Sequence, residues 1–188
     1  MMRCCSFVGA LLLLAAQHAR AAPRAAAPLY QACAQDDPAA VADALAQGAD
    51  VDAADAPGDR PGGQTPLMFS VLRGSGRAVK ALLEAGADTS IPEKDGYTPM
   101  HGAGFQGRPE IARYLVEVGG LSPSDRHTDG YTPLQRSCWG SKPNHAATVK
   151  VLLELGADPK ELDNCRTSNP GIQQIIDHVK GGGAVNDL

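Results

Sequence analysis

Beyond its first 21 residues the chain holds three cysteines, Cys33, Cys138 and Cys165, and four histidines, His101, His127, His145 and His178. A thiol works as a nucleophile only beside a base that holds it as thiolate, and nothing in the sequence places a histidine beside any of the three. The histidines are scattered, without the i, i+4 spacing that puts two imidazoles on one helix face for a metal. Asp50, Asp88 and Asp158 look like candidate acid–base partners until their context is read: each closes an Ala-Asp or Gly-Ala-Asp stretch at the end of an apolar run. There an Asp side chain accepts from turn amides. No Ser-centred elbow is present, and Gly62-Gly63 and Gly181 to Gly183 lack the flanks of a phosphate loop. No cofactor and no metal is expected. An enzyme using Cys165 or an Asp/His pair is the alternative from another class. An odd number of cysteines at irregular spacing implies no disulfide framework, so the fold is expected to stand on packing, with Cys33 and Cys138 as small buried apolar residues and Cys165 partly exposed.

The elements that would position any site come from a self-match. Gly96-Tyr97-Thr98-Pro99-Met100-His101 recurs 34 residues later as Gly130-Tyr131-Thr132-Pro133-Leu134-Gln135 and 33 residues earlier as Gly63-Gln64-Thr65-Pro66-Leu67-Met68. A period of this length marks a stacked repeat array. Thr before Pro starts a helix, because the hydroxyl caps first-turn amides and Pro at the first position has no N–H to leave unpaired. Ala27-Pro28-Leu29-Tyr30 is a weaker copy. Each start is followed by a second apolar face: Val41, Ala44 and Leu45; Val79, Leu82 and Leu83; Ile111, Tyr114, Leu115 and Val118; Val149, Leu152 and Leu153. Gly48, Gly86, Gly119 and Gly156 are the expected stops, since glycine enters the left-handed C′ conformation without a Cβ penalty. From start to stop is 21 residues in the first three units and 24 in the fourth, which predicts a three-residue loop insertion within 141–147. The first-to-second spacing of 38 puts about five extra residues in the loop before Gly63.

These motifs resemble the ankyrin repeat, with its Thr-Pro-Leu-His-x-Ala-Ala start and Leu-Leu-x-x-Gly-Ala-Asp stop. The resemblance covers residues 27–180 and implies an all-α solenoid of helix-loop-helix units with β-hairpin-like loops. The expected repeats are 27–61, 62–95, 96–129 and 130–164. A cap follows at 165–180, with Ile172, Ile175, Ile176 and Val179 on one face, and then a flexible tail at 181–188. The family also implies that His101 is structural, bonding neighbouring backbone, and that partners bind hairpin tips and the exposed side of the first helices on a concave face. Those positions are Lys94, Asp95, Tyr97, Phe105 and Gln106 in the third unit, and Thr128, Asp129, Tyr131, Trp139 and Gly140 in the fourth. The second unit offers Gln64, Leu72 and Arg73. Tyr97 and Tyr131 are equivalent, as are Phe105 and Trp139, so a two-by-two aromatic patch is expected; the competing reading is that each Tyr merely packs on its neighbour.

Composition limits the partner. With 188 residues, 43% hydrophobic and only 4% aromatic, the core must be packed from Ala, Leu and Val. A formal charge of −4 without a basic run argues against nucleic acid and against anionic lipid surfaces. Arg3, the apolar run Phe7 to Ala16 and Ala19-Arg20-Ala21 form a signal-peptide pattern over 1–21, followed by a linker at 22–26; the run is too short to span a bilayer. Cleavage after Ala21 or Ala22 is expected, and loss of Arg3 and Arg20 takes the charge to −6. An Ala-rich disordered leader and an organelle-transit leader are the alternatives. The resulting expectation is a monomeric, non-enzymatic scaffold for a protein partner in the secretory pathway; the alternative is an intracellular or organelle-targeted adaptor.

Overall fold

The computed structural model describes residues 26–54 and 64–188; the leader expected at 1–21, the linker before residue 26 and the insertion before Gly63 lie outside them. Among the described residues the chain is a succession of helix pairs. These are α1 (Ala26–Gln35) with α2 (Pro38–Ala46), α3 (Pro66–Arg73) with α4 (Gly76–Glu84), α5 (Pro99–Gln106) with α6 (Pro109–Glu117), and α7 (Pro133–Ser137) with α8 (Pro143–Glu154). A 3-10 helix (Pro159–Asn164) and α9 (Pro170–Lys180) follow, and residues 181–188, expected as a flexible tail, end in a second 3-10 helix (Val185–Asp187) with Val185 and Leu188 against the core.

First helices stack on first helices and second on second, α1–α3–α5–α7 beside α2–α4–α6–α8, and α9 closes on α8. Between the layers runs one aliphatic seam that includes Leu29, Val41, Leu67, Leu82, Met100, Leu115, Leu134, Leu152 and Ile172, all fully buried. Small residues let the helices approach. At Gly104 an added Cβ would collide with the Pro133 carbonyl oxygen of α7, and the Ser137 hydroxyl lies 3.0 Å from the carbonyl oxygens of both Gly104 and Pro133.

The start motif is used in three ways. Thr65 Oγ1 accepts from the Met68 N–H at 3.2 Å, and Thr132 and Gln135 form a reciprocal capping box. Thr98 departs from the expected cap: its hydroxyl pairs with His101 Nδ1 at 2.8 Å and accepts no first-turn amide. His101 is buried accordingly, its Nε2 without a hydrogen-bond partner among the described residues, and burial pushes its pKa down against a smaller pull from Asp125. In the first unit Tyr30 stands at this position, and its hydroxyl lies 2.6 Å from the carbonyl oxygen of Ala53 and also meets that of Gln64, within reach to donate its one proton to either.

The aspartates act as turn caps, not as paired acids. Asp50, Asp88 and Asp158 each accept the N–H two residues on, at 3.0, 2.8 and 2.9 Å. Asp36 holds a left-handed backbone (φ 53°) where the next two units have Gly74 and Gly107. Its carboxylate crosses to the second unit, accepting the Ala78 N–H at 2.9 Å and meeting Arg77 at 3.2 Å, which caps the otherwise uncapped α4.

Three expectations are corrected. The left-handed stop of the third unit is Gly120 (φ 69°), not Gly119, and Leu121 N–H closes on Leu115 where Ala87 closes on Leu82, so that unit is one residue longer than counted. The three-residue insertion of the fourth unit is helical: α8 has 12 residues where α4 and α6 have 9. Finally, Cys138 and Cys165 form a disulfide, with Cα atoms 5.6 Å apart. Cys138 ends α7 and Cys165 ends the first 3-10 helix, so only stacking brings them together. Cys33 stays a buried thiol whose pKa burial pushes up.

Candidate functional site

Two hairpin-like turns carry the third and fourth units' contact residues. Glu93 N–H bonds the Tyr97 carbonyl and Gly96 N–H the Glu93 carbonyl; His127, Tyr131 and Gly130 repeat the pattern one unit on. The turns are tied directly, since His127 Nε2 lies 3.2 Å from the Asp95 carbonyl oxygen.

The equivalent aromatics do not form the expected two-by-two patch. Tyr97 stacks on His127, with centroids 4.2 Å apart, and Tyr131 meets Trp139 edge-on at 5.0 Å. Trp139 is not on a first helix. Because α7 stops at Ser137, three residues shorter than α3 or α5, Trp139 sits in the turn beyond it and reaches back to Tyr131. Among the described residues Phe105 makes no ring contact with Trp139 and lines a separate groove with Tyr97.

What joins the rings is Arg136, which the sequence reading passed over. Its guanidinium carbon lies 4.7 Å from the Tyr97 ring centroid, 5.2 Å from Tyr131 and 4.6 Å from Trp139. Asp129 binds the same guanidinium, accepts the Tyr131 N–H at 3.1 Å and meets His127. Burial pushes the Asp129 carboxyl up, but the Tyr131 amide, Arg136 and His127 outweigh it and hold the pKa at about 2. Arg136 occupies the variable x of Thr-Pro-Leu-His-x, where the third unit has Gly102 and the second Phe69.

Lys94 and Asp95 are exposed at the third unit's turn, and Gln106 is half-buried beside Phe105. Arg73 stands apart from the cluster: it is exposed at the end of α3, over the Phe69 ring at 5.3 Å. Cys165 has no free thiol to act as a nucleophile. Among the described residues no three His, Cys, Asp or Glu side chains converge as for a metal, and no helix is long and apolar enough to cross a membrane.

The repeated helix pairs, the Thr-Pro starts and the left-handed glycine stops agree with a family model for ankyrin repeats, which matches residues 29–125 and 91–163. The chain belongs to the ankyrin-repeat family. Relatives of this ankyrin-repeat protein include the 26S proteasome non-ATPase regulatory subunit 10 of Dictyostelium discoideum, 34% identical over 53% of this chain and 43% of that protein. The Notch-regulated ankyrin repeat-containing protein B of Danio rerio is 43% identical over 34% of this chain and 58% of its own. The palmitoyltransferase Hip14 of Drosophila melanogaster is 32% identical over 45% of this chain but only 13% of the enzyme, confined to its ankyrin region. The chain thus spans little more than half of such relatives at most. Ankyrin repeats are a non-enzymatic interaction fold, and the chain is built as a protein-interaction scaffold.

Proposed function

We propose that this chain is not an enzyme and that it holds a protein partner on the face formed by its third and fourth turns and by α5 and α7. One observation carries this reading. Four large apolar side chains stand exposed among the described residues, and three of them, Phe105 (54% exposed), Tyr131 (40%) and Trp139 (46%), lie on that face. Aromatic side chains offer large contact area at small entropic cost and dominate binding hot spots. Here Arg136 fixes two of the rings, which reduces the ordering cost further.

The scaffold works in the secretory pathway on this reading. The signal-peptide pattern of residues 1–21 motivates it, and the Cys138–Cys165 bridge supports it, because such bonds persist in oxidising compartments. N-terminal sequencing of the protein from its host tests the route: a start at Ala22 or Pro23 is expected, and an intact Met1 or Met2 would favour the intracellular adaptor. Photo-crosslinking tests the face. A crosslinking residue at 139 or 105 should trap one protein that the same residue at exposed Lys80 of α4 does not; equal trapping at all three would defeat the assignment.

A further inference from the structure

The groove beside Phe105 lies where the third unit carries a glycine. At the variable x position the second unit has Phe69, the fourth has Arg136, and the third has Gly102, which fills nothing. The groove is walled by Met68 and Leu72 of α3 and by Tyr97, Phe105 and Arg136, with Gly102 in its lining; a Cβ at Gly102 would already press on Met68 Cε at 3.1 Å, so a larger side chain there would have to extend into the groove. Its volume is about 290 Å³, at or below the lower limit of small-molecule sites, roughly 300–1,000 Å³. It suits one inserted side chain.

Its lining holds one carboxylate, Glu93, and one guanidinium, that of Arg136, which is already paired with Asp129. Glu93 lines the groove half-buried, with only a 3.4 Å contact from Gln64 Nε2 and no ion pair among the described residues. Burial pushes its carboxyl pKa up, against that hydrogen bond. Arg136 is committed to Asp129 and Arg73 to the Phe69 ring, while the neighbouring Lys94 is exposed and only weakly offsets the Glu93 charge, without an ion pair among the described residues. An apolar slot with an unpaired carboxylate calls for an apolar side chain next to a cation.

We propose that this groove takes a partner peptide segment in which a Leu-like side chain fills the space above Gly102 and an adjacent Arg or Lys pairs with Glu93. An acidic segment would be repelled. The inference rests on the interaction face argued above and adds the partner's chemistry to it.

Two capped dipeptides test it on the full chain, N-acetyl-Leu-Arg-amide and its neutral isostere N-acetyl-Leu-citrulline-amide, followed by NMR shifts of the Met68 methyl and the Gly102 amide. Saturable shifts are expected with the Arg probe. Binding should be roughly fivefold weaker with citrulline, and by a similar factor in Glu93→Gln, the size of a partly exposed ion pair. Gly102→Leu, checked for an unchanged fold by its amide spectrum, should abolish the shifts. Equal binding of both probes, or an unchanged response in Glu93→Gln, would overturn the charge assignment while leaving the interaction face standing. Absence of saturable shifts at these two sites would overturn the groove itself. The face fails separately, through the crosslinking at 139.

Discussion

Asp129 grips Arg136 at the centre of three aromatic rings, and this pair, not the stacking of equivalent tyrosines, joins Tyr97 of the third unit to Tyr131 and Trp139 of the fourth. Arg136 is only 5% exposed, yet two of the rings around its guanidinium, Tyr131 and Trp139, remain open to solvent. A planar cation stacks on such rings where an ammonium cannot.

Arg136→Ala should therefore cost about 2 kcal/mol in urea unfolding, from several cation–π contacts of about 0.5–1 kcal/mol each. It should also shift the emission of Trp139, the chain's single Trp, to the red. Arg136→Lys should recover less than half of the loss. An unchanged Trp139 spectrum in the Ala variant would mean the ring does not rest on Arg136.

The same pair sets an acid limit. Asp129 has a depressed pKa of about 2, so its contribution is complete above the ordinary carboxylate range, about 3.9, and is lost as pH falls through 2. Trp139 emission should change across that window in the native chain, and Asp129→Asn should flatten the change.

His101 gives a second pH dependence with the same sign. Its native pKa is lowered, so below about 6.5 the unfolded chain binds the proton first and stability falls as pH falls. Between about pH 7 and 5 the urea midpoint should decline, and His101→Gln, the residue that stands at this position in the fourth unit, should remove part of that slope. A slope unaltered by the substitution would assign it to another group.

The Cys138–Cys165 bridge closes a loop of 27 residues and fastens the cap to the fourth unit. Chain entropy assigns such a loop about 3.5 kcal/mol. Reduction, or Cys138→Ser with Cys165→Ser, should lower the unfolding midpoint accordingly. Cys33 should stay unlabelled by thiol reagents until the chain unfolds, since it is buried with a raised pKa.

Gly104 tests the helix approach. Ala there would drive a methyl group into the Pro133 carbonyl and should cost about 2 kcal/mol, whereas Ala at exposed Gln173 of α9 should cost almost nothing.

Much of this architecture was legible in local chemistry. Thr65-Pro66, Thr98-Pro99 and Thr132-Pro133 announce helix starts, and Gly86 and Gly156 announce stops, because each acts through its own backbone. What escaped depends on neighbours one repeat away. The diversion of Thr98 to His101, the one-residue shift to Gly120 and the helical insertion in α8 are all settled by packing. The disulfide joins residues 27 apart that only stacking brings together, and the odd cysteine count hid it. At the site, Tyr97, Tyr131 and Trp139 were readable as aromatic, but α7 ends early, so Trp139 turns to Tyr131 and leaves Phe105 to its own groove. Arg136 was missed because a charge at a buried helix position looks like a solvated residue until Asp129 and the rings are seen around it.

The proposed function stands or falls with partner capture by the face around Tyr131 and Trp139. Its most direct measurement is quantitative co-purification from the native host of the wild-type chain, the Tyr131→Ala/Trp139→Ala double variant and a Lys80→Ala/Glu117→Ala control on α4 and α6. Urea unfolding confirms that each is folded. One protein should accompany the wild type and the control in equal yield and drop at least about tenfold with the aromatic variant, the loss of one hot spot of about 1.4 kcal/mol or more. Retention of that protein at full yield by the aromatic variant would contradict the account.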